Sequence, residues 1–350
     1  MRILVLGGTG AMGAHLCALL ADAGHEVVCT TRRERPPEGR ISYAVGDAKE
    51  MGFLDGLLGE HWGAVADFML WTTPEFRERY RKLLGATDQY VFTSSYRVYA
   101  GSPVIREDSS RLLDVVEDPE YLATDEYALR KARCEDMLFE SGRSNWTIVR
   151  PAVTYDGANG RLQLGVFESG DWLWRAMNGA PVPLPGEMLG KQATMSYGGD
   201  VAEMIARLVG NPKAMGEVFT VSGSDHMAWG DVAMAYADVL PFEVVRVGMA
   251  DFERARGGVY QIRYDRMFDR VIDNSKVLDA TGMDACDLVH MRDGLKRELG
   301  VFLDSGKALA PMFGHQGRYD RLCGGMPALG AVAKDGGAVG LAKYLVRRWA

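Results

Sequence analysis

Cysteine is sparse and unpatterned: Cys17, Cys29, Cys134, Cys286 and Cys323 are the only five in 350 residues, and no two form a C-x-x-C spacing. That argues against a disulfide framework and suits free thiols in a reducing compartment. His15, His25, His61, His226, His290 and His315 lack ligand spacing, so no metal is expected. No uninterrupted apolar run is long enough to span a bilayer. The stretch Ile3 to Leu6 after Met1-Arg2 is too short for the core of a secretory signal. The expectation is a cytoplasmic chain with no membrane span. An excess of positive charge is also missing, because 40 Lys and Arg against 47 Asp and Glu leave a net charge of −7. This counts against DNA binding and general nucleic-acid binding, which need a net positive face.

What is present is an ordinary globular balance, 47% hydrophobic and 25% charged, enough to bury a sizeable core. Short apolar runs alternate with longer amphipathic stretches through the first half, the pattern of a parallel sheet with crossover helices. Strands are predicted at 2–6, 26–30, 41–45, 64–70, 89–93 and 146–150, and helices at 12–23, 75–84 and 125–140. The fold class read from this is α/β, a doubly wound parallel (Rossmann) sheet with a smaller, interleaved C-terminal substrate lobe. Residues 1–157 plus about 196–222 are assigned to the dinucleotide-binding domain. The ranges of about 158–195 and 223–350 are assigned to the substrate lobe and tail. The tail is glycine-rich from about Pro311 and ends in a cationic amphipathic stretch, read as a helix docked on its own protein.

Gly7-Gly8-Thr9-Gly10-Ala11-Met12-Gly13 follows the first strand and opens a helix. The first glycine permits a tight turn, the middle one lets backbone N–H groups approach a pyrophosphate, and the last lets helix and strand pack closely. The second strand ends in Thr30-Thr31-Arg32-Arg33, with no carboxylate to accept from a ribose 2′-hydroxyl. An arginine there can pair with a 2′-phosphate, so NADP(H) is favoured, with NAD(H) the alternative. Asp47, after the third strand, stands where it can accept from an adenine amino group or cap a helix.

Tyr127 and Lys131 are four apart in a predicted helix and so share a face. An ammonium beside a phenol makes the tyrosine a usable acid or base toward an alcohol or carbonyl. Ser95, at the end of the preceding strand, can polarise the same oxygen. Ser95, Tyr127 and Lys131 are therefore the candidate catalytic residues.

The glycine turn, Val45-Gly46-Asp47, Tyr90 to Tyr99, Tyr127 with Lys131, and Ile148 to Tyr155 together resemble the extended short-chain dehydrogenase/reductases, particularly their nucleotide-sugar epimerase/dehydratase branch. The resemblance covers about residues 1–303. In Thr31-Arg32 and Arg150 to Tyr155 it extends to a subgroup that includes chloroplast stem-loop RNA-binding proteins. It implies that Tyr127 removes a hydroxyl proton as hydride passes to the nicotinamide, that Lys131 assists and holds the ribose, and that Ser95 bonds the reacting oxygen. It further implies a cofactor site completed by Ala48, Leu70, Thr93, Pro151 and Val153. The substrate side is assigned Ser94, Tyr96, Tyr155, Arg161, Trp172, Trp174 and Lys191, with the two tryptophans as candidates to stack on a base or sugar. A homodimer through the helix containing Tyr127 and its neighbour is implied by analogy.

This chain departs from the family pattern in three ways. Tyr96 and Arg97 follow Ser95 where dehydratases carry an acidic pair, which disfavours dehydration. Ala193 stands about where sugar-nucleotide enzymes place a pyrophosphate-binding arginine. The acidic NAD selector is missing. The expected function is an NAD(P)-dependent sugar epimerase or ketoreductase, the sugar being nucleotide-linked. The alternative is a non-catalytic, RNA-binding or redox-sensing member of the same fold.

Overall fold

The computed structural model describes residues 1–349. The chain divides into two compact units. The first comprises Met1–Thr154, Thr194–Ser224 and Ile272–Val289, and the second Tyr155–Ala193, Asp225–Val271 and the chain from His290 onward. The segment Ile272–Val289, which the sequence boundaries left with the substrate lobe, falls in the first unit. Its Val277 and Leu288 are buried in one cluster with Ile205 and Leu208.

In the first unit seven strands form one parallel sheet: β1 (Arg2–Leu6), β2 (Glu26–Thr31), β3 (Ile41–Val45), β4 (Ala64–Asp67), β5 (Tyr90–Thr93), β6 (Trp146–Pro151) and β7 (Glu217–Val221). Their spatial order is β7-β6-β5-β4-β1-β2-β3. The direction of winding reverses between β1 and β4, the switch point where open α/β sheets bind ligands beyond their strand ends. Alternate strand residues feed opposite faces, as the strand period of two requires. Ile3 and Val5 join Leu16 and Leu20 of helix α1 (Gly13–Asp22) in one core. Leu4 and Leu6 join the other core, with Leu54 of α2 (Met51–Leu58), Phe76 and Leu83 of α3 (Thr73–Gly85) and Leu138 of α4 (Tyr127–Phe139).

Two local differences from the sequence expectation have physical causes. The fourth strand stops at Asp67 rather than residue 70, because the buried Asp67 carboxylate turns the chain. It accepts hydrogen bonds from the Met69 N–H at 2.8 Å, Trp71 Nε1 at 2.7 Å and the Tyr90 hydroxyl at 2.6 Å. Helix α3 begins two residues earlier than expected, since Thr72 and Glu75 form a reciprocal capping box with Pro74 in the first turn.

The second unit pairs Val182–Pro185 in parallel with Val244–Val247, and Gln192–Ala193 antiparallel with Met227–Ala228. Its C-terminal region forms two packed helices, Phe313–Cys323 and Leu329–Trp349, the latter bent at Gly337. An added Cβ at Gly317 would lie 2.2 Å from the Tyr344 carbonyl oxygen, so only glycine permits this approach. The buried Asp320 carboxylate ties the region together, accepting from Arg175 at 2.7 Å and from the Tyr344 hydroxyl at 2.6 Å. Among the described residues no helix is long and apolar enough to cross a membrane.

Candidate active site

Gly7 lies just beyond β1 with φ +69°, a backbone conformation that favours glycine. Its N–H donates to Thr30 Oγ1 at 2.8 Å, which ties the turn to the end of β2. At Gly13 an added Cβ would sit 2.5 Å from Gly8 Cα, so α1 passes the turn at backbone contact. At Gly10 an added Cβ would meet nothing within 4 Å. Helix α1 begins after Met12 with no side-chain cap and no acidic residue in its first turn, which leaves N–H donors there unsatisfied by side chains. Thr9 is half-buried and Ala11 buried beside this turn. Open backbone at Gly10 next to an uncapped helix start fits the pyrophosphate of a dinucleotide.

Thr31 ends β2 and is buried; its hydroxyl accepts from the Arg33 N–H at 3.2 Å. Arg32 and Arg33 follow it fully on the surface, and among the described residues neither guanidinium is in an ion pair. Asp47 is exposed, and its carboxylate accepts from the Lys49 N–H at 2.9 Å in a local turn. Ala48 beside it is buried, whereas Leu70, beyond β4, is 55% exposed.

Helix α4 carries Tyr127, Lys131 and Glu135 four residues apart on one face. Lys131 is buried, and its Nζ donates to the Thr93 carbonyl at 2.6 Å and to the Met69 carbonyl at 3.4 Å. The Phe68 N–H donates to the Leu6 carbonyl at 2.9 Å, so the ends of β1, β4 and β5 are linked through this ammonium and the short loop after Asp67. Ser95 is buried just beyond Thr93, and its Oγ accepts from the Arg97 N–H at 3.2 Å, capping a short turn over Tyr96–Val98. Arg97 lies with its guanidinium 5.0 Å from the centre of the half-buried Tyr127 ring, and pairs with Glu126 at 2.6 Å. Glu126 in turn caps α4 by accepting from the Ala128 N–H.

Three residues that the sequence reading passed over complete the site's support. Thr30 and Asp67 hold the two loops at the switch point, as described. Glu135, fully buried, accepts from Arg150 Nε and Nη2, each at 2.8 Å, and from the Ser94 hydroxyl at 2.6 Å. Its spacing of four from Lys131 is the signal that could have found it. Arg150 also lies 4.7 Å from the centre of the Tyr99 ring. Pro151 closes β6, and Val153 is buried two residues on.

The substrate-side candidates are divided between the two units. Ser94 is committed to Glu135, and Tyr96 is buried in the first unit. In the second unit Tyr155 is buried, Arg161 is exposed, and Lys191 is half-buried with its ammonium 3.8 Å from Asp269. Trp172 and Trp174 are packing residues rather than stacking platforms. Their helix, Ser169–Met177, is covered on both sides: Trp172 stacks on Tyr236 with ring centres 4.7 Å apart, and Trp174 packs against Phe313 and donates to Asp335.

A glycine turn thus stands at the switch point of this sheet, with Ser95 just beyond an adjoining strand and Tyr127 and Lys131 on the helix α4. Residues 3–60 match the model of the NAD dependent epimerase/dehydratase family. Among curated proteins it is 25% identical over 297 residues to the chloroplast stem-loop binding protein of 41 kDa b of Arabidopsis thaliana, spanning 79% of this chain and 74% of that one. It is 26% identical over 282 residues to 2′-dehydrokanamycin reductase of Streptomyces kanamyceticus, spanning 77% of each. The fold is similar to that of an epimerase from Methanothermobacter thermautotrophicus, with TM-score 0.69, 16% identity, and coverage of 87% of this chain and 92% of that one. It is also similar to that of UDP-glucuronic acid 4-epimerase from Bacillus cereus, solved with UDP-glucuronic acid and NAD, with TM-score 0.64, 16% identity, and coverage of 87% and 100%.

Proposed function

We propose that this protein is an NADP(H)-preferring sugar epimerase or ketoreductase in which Tyr127 is the acid/base, Lys131 its cationic partner and Ser95 the group that bonds the reacting oxygen. The observation that carries the reading is the buried Lys131 ammonium, fixed by the Thr93 carbonyl at the end of β5 and the Met69 carbonyl just beyond β4. A bound nicotinamide dinucleotide supplies the hydride donor or acceptor. The chain's own part is to take the proton of a sugar hydroxyl at Tyr127 Oη, or return one, with Lys131 one turn away on the same helix face and Arg97 over the ring. Ser95 orients the same oxygen. The preference for NADP(H) is supported by Thr31 in place of a carboxylate and by the two unpaired surface guanidiniums of Arg32 and Arg33. The sugar is read as nucleotide-linked because the epimerase of similar fold was solved with UDP-glucuronic acid. The relative named as a dehydrokanamycin reductase supports a single hydride transfer instead.

Tyr127→Phe tests the chemistry. Turnover should fall by about a hundredfold or more while dinucleotide affinity stays the same; full activity in this variant would refute the assignment. The nucleotide released on denaturing the purified protein separates the two activities, because retained NAD favours the epimerase and exchangeable NADPH the reductase. A second reading, RNA binding, is supported by the curated relative named as a stem-loop binding protein. It requires salt-sensitive RNA binding that is indifferent to Tyr127, and the net charge of −7 weighs against it.

A further inference from the structure

The second unit holds a cavity of about 720 Å³ lined by five arginines, Arg246, Arg254, Arg318, Arg321 and Arg347, with Asp251 the only carboxylate in its wall among the described residues. Arg246 stands on the strand Val244–Val247 and Arg254 on the helix Met249–Arg256. The other three come from the two C-terminal helices. Arg254 is paired with Asp251, and Arg318 donates to the Ala255 carbonyl at 3.3 Å. Arg246, Arg321 and Arg347 are in no ion pair among the described residues. Within residues 313–349 six Lys and Arg stand against two Asp, in a chain whose net charge is −7.

Like charges gathered around one hollow repel, and nothing in the wall offsets three of them. The field is felt nearby, where burial and then Arg256, Arg318 and Arg347 push His315 below its ordinary value. Guanidinium forks match phosphate oxygens two at a time, and several together suit a ligand with more than one phosphate. A hollow of this volume is within the range of small-molecule sites. The rest of its wall is aliphatic, without the aromatic platforms on which single-stranded nucleic acid stacks.

We propose that this cavity binds a compact polyanion, a small molecule bearing two or more phosphate groups, at a site separate from the dinucleotide turn. Arg246, Arg321 and Arg347 supply the charge that the ligand neutralises. Because three of the five arginines belong to the C-terminal helices, the ligand ties those helices to the strand Val244–Val247 and the helix Met249–Arg256.

The test is calorimetric titration of the full chain with inorganic tripolyphosphate, compared with monophosphate at matched ionic strength. Saturable binding of tripolyphosphate is expected, with one ligand per chain. Joint substitution of Arg246→Gln and Arg321→Gln should weaken it about tenfold or more, with NADPH affinity unchanged and the melting temperature without ligand unchanged or raised as the repulsion is relieved. Arg246→Lys with Arg321→Lys, which keeps charge but not the fork, should fall between the two. Three outcomes overturn the proposal: no saturable binding, binding that survives the double substitution, and displacement of tripolyphosphate by NADPH. A fourth is a single-stranded RNA oligonucleotide that excludes tripolyphosphate through the same arginines at lower concentration, which would make nucleic acid the occupant.

Discussion

Lys131 donates from Nζ to the carbonyl oxygen of Thr93 across 2.6 Å, and this one bond joins α4 to the end of β5. A buried ammonium held by carbonyls has its direction set before any ligand arrives. Lys131→Met is therefore expected to lower turnover about a hundredfold or more and, unlike Tyr127→Phe, to weaken dinucleotide binding as well. Lys131→Arg should not restore either property, since a planar fork cannot occupy the same buried niche. Steady-state kinetics alongside dinucleotide titration would check this, and an active arginine variant would contradict it.

The glycine turn separates shape from binding. Gly13→Ala places a Cβ 2.5 Å from Gly8 Cα, backbone against backbone, so the helix must move away from the turn. A loss of stability of about 1–3 kcal/mol is expected, as for other overpacking substitutions. Gly10→Ala adds its methyl where nothing lies within 4 Å. Its unfolding midpoint should stay close to that of the parent, while the dinucleotide dissociation constant rises about tenfold or more as the methyl occupies space a pyrophosphate needs. Equal dinucleotide affinity in Gly10→Ala and the parent would remove the turn from the cofactor site.

Much of the first unit is legible in the chain because its signals are local. β1 and β3 run over the residues that their apolar patterns predict, and the glycine turn opens α1 as its spacing requires. α2 gave no usable signal, since Met51–Leu58 is only eight residues long and contains Gly52 and Gly56. The supports of the site were harder to read because they are pairings across long sequence separations. Glu135 meets Arg150 and Ser94, and Asp67 meets Tyr90, through contacts that exist only once the sheet has formed. Trp172 and Trp174 misled for the same reason, since two aromatics in a lobe of unknown packing look the same whether buried or exposed.

Glu135 is the sharpest stability test. Its carboxylate is fully buried and neutralises an Arg150 guanidinium that is itself only 3% exposed at the side chain. Glu135→Gln leaves that charge uncompensated and should cost about 3–5 kcal/mol, the range for breaking a buried pair from one side. Ser94→Ala removes one hydrogen bond to the same carboxylate and should cost about 1–2 kcal/mol. Urea unfolding midpoints of the two variants would rank them, and a serine variant as damaging as the glutamine one would mean that the ion pair is not the main support.

Asp171 gives the pH dependence a sign. Burial pushes its carboxyl up to about 6 from an ordinary 3.8, against the opposing pull of Arg256 and Arg175. The folded chain then holds this proton more tightly than the unfolded chain. Between those two values the folded state binds more protons, so stability falls as pH rises through the window and stays lowered above it. Below the window both states are protonated and the penalty vanishes. Asp171→Asn should therefore be more stable than the parent near neutral pH by up to about 2–3 kcal/mol. The advantage should shrink toward zero on acidification to about pH 4, the ordinary aspartate range. The difference between the two proteins across a series of urea titrations isolates this group from the other carboxylates. A difference that did not change with pH would show that the variant acts through packing and not through the charge.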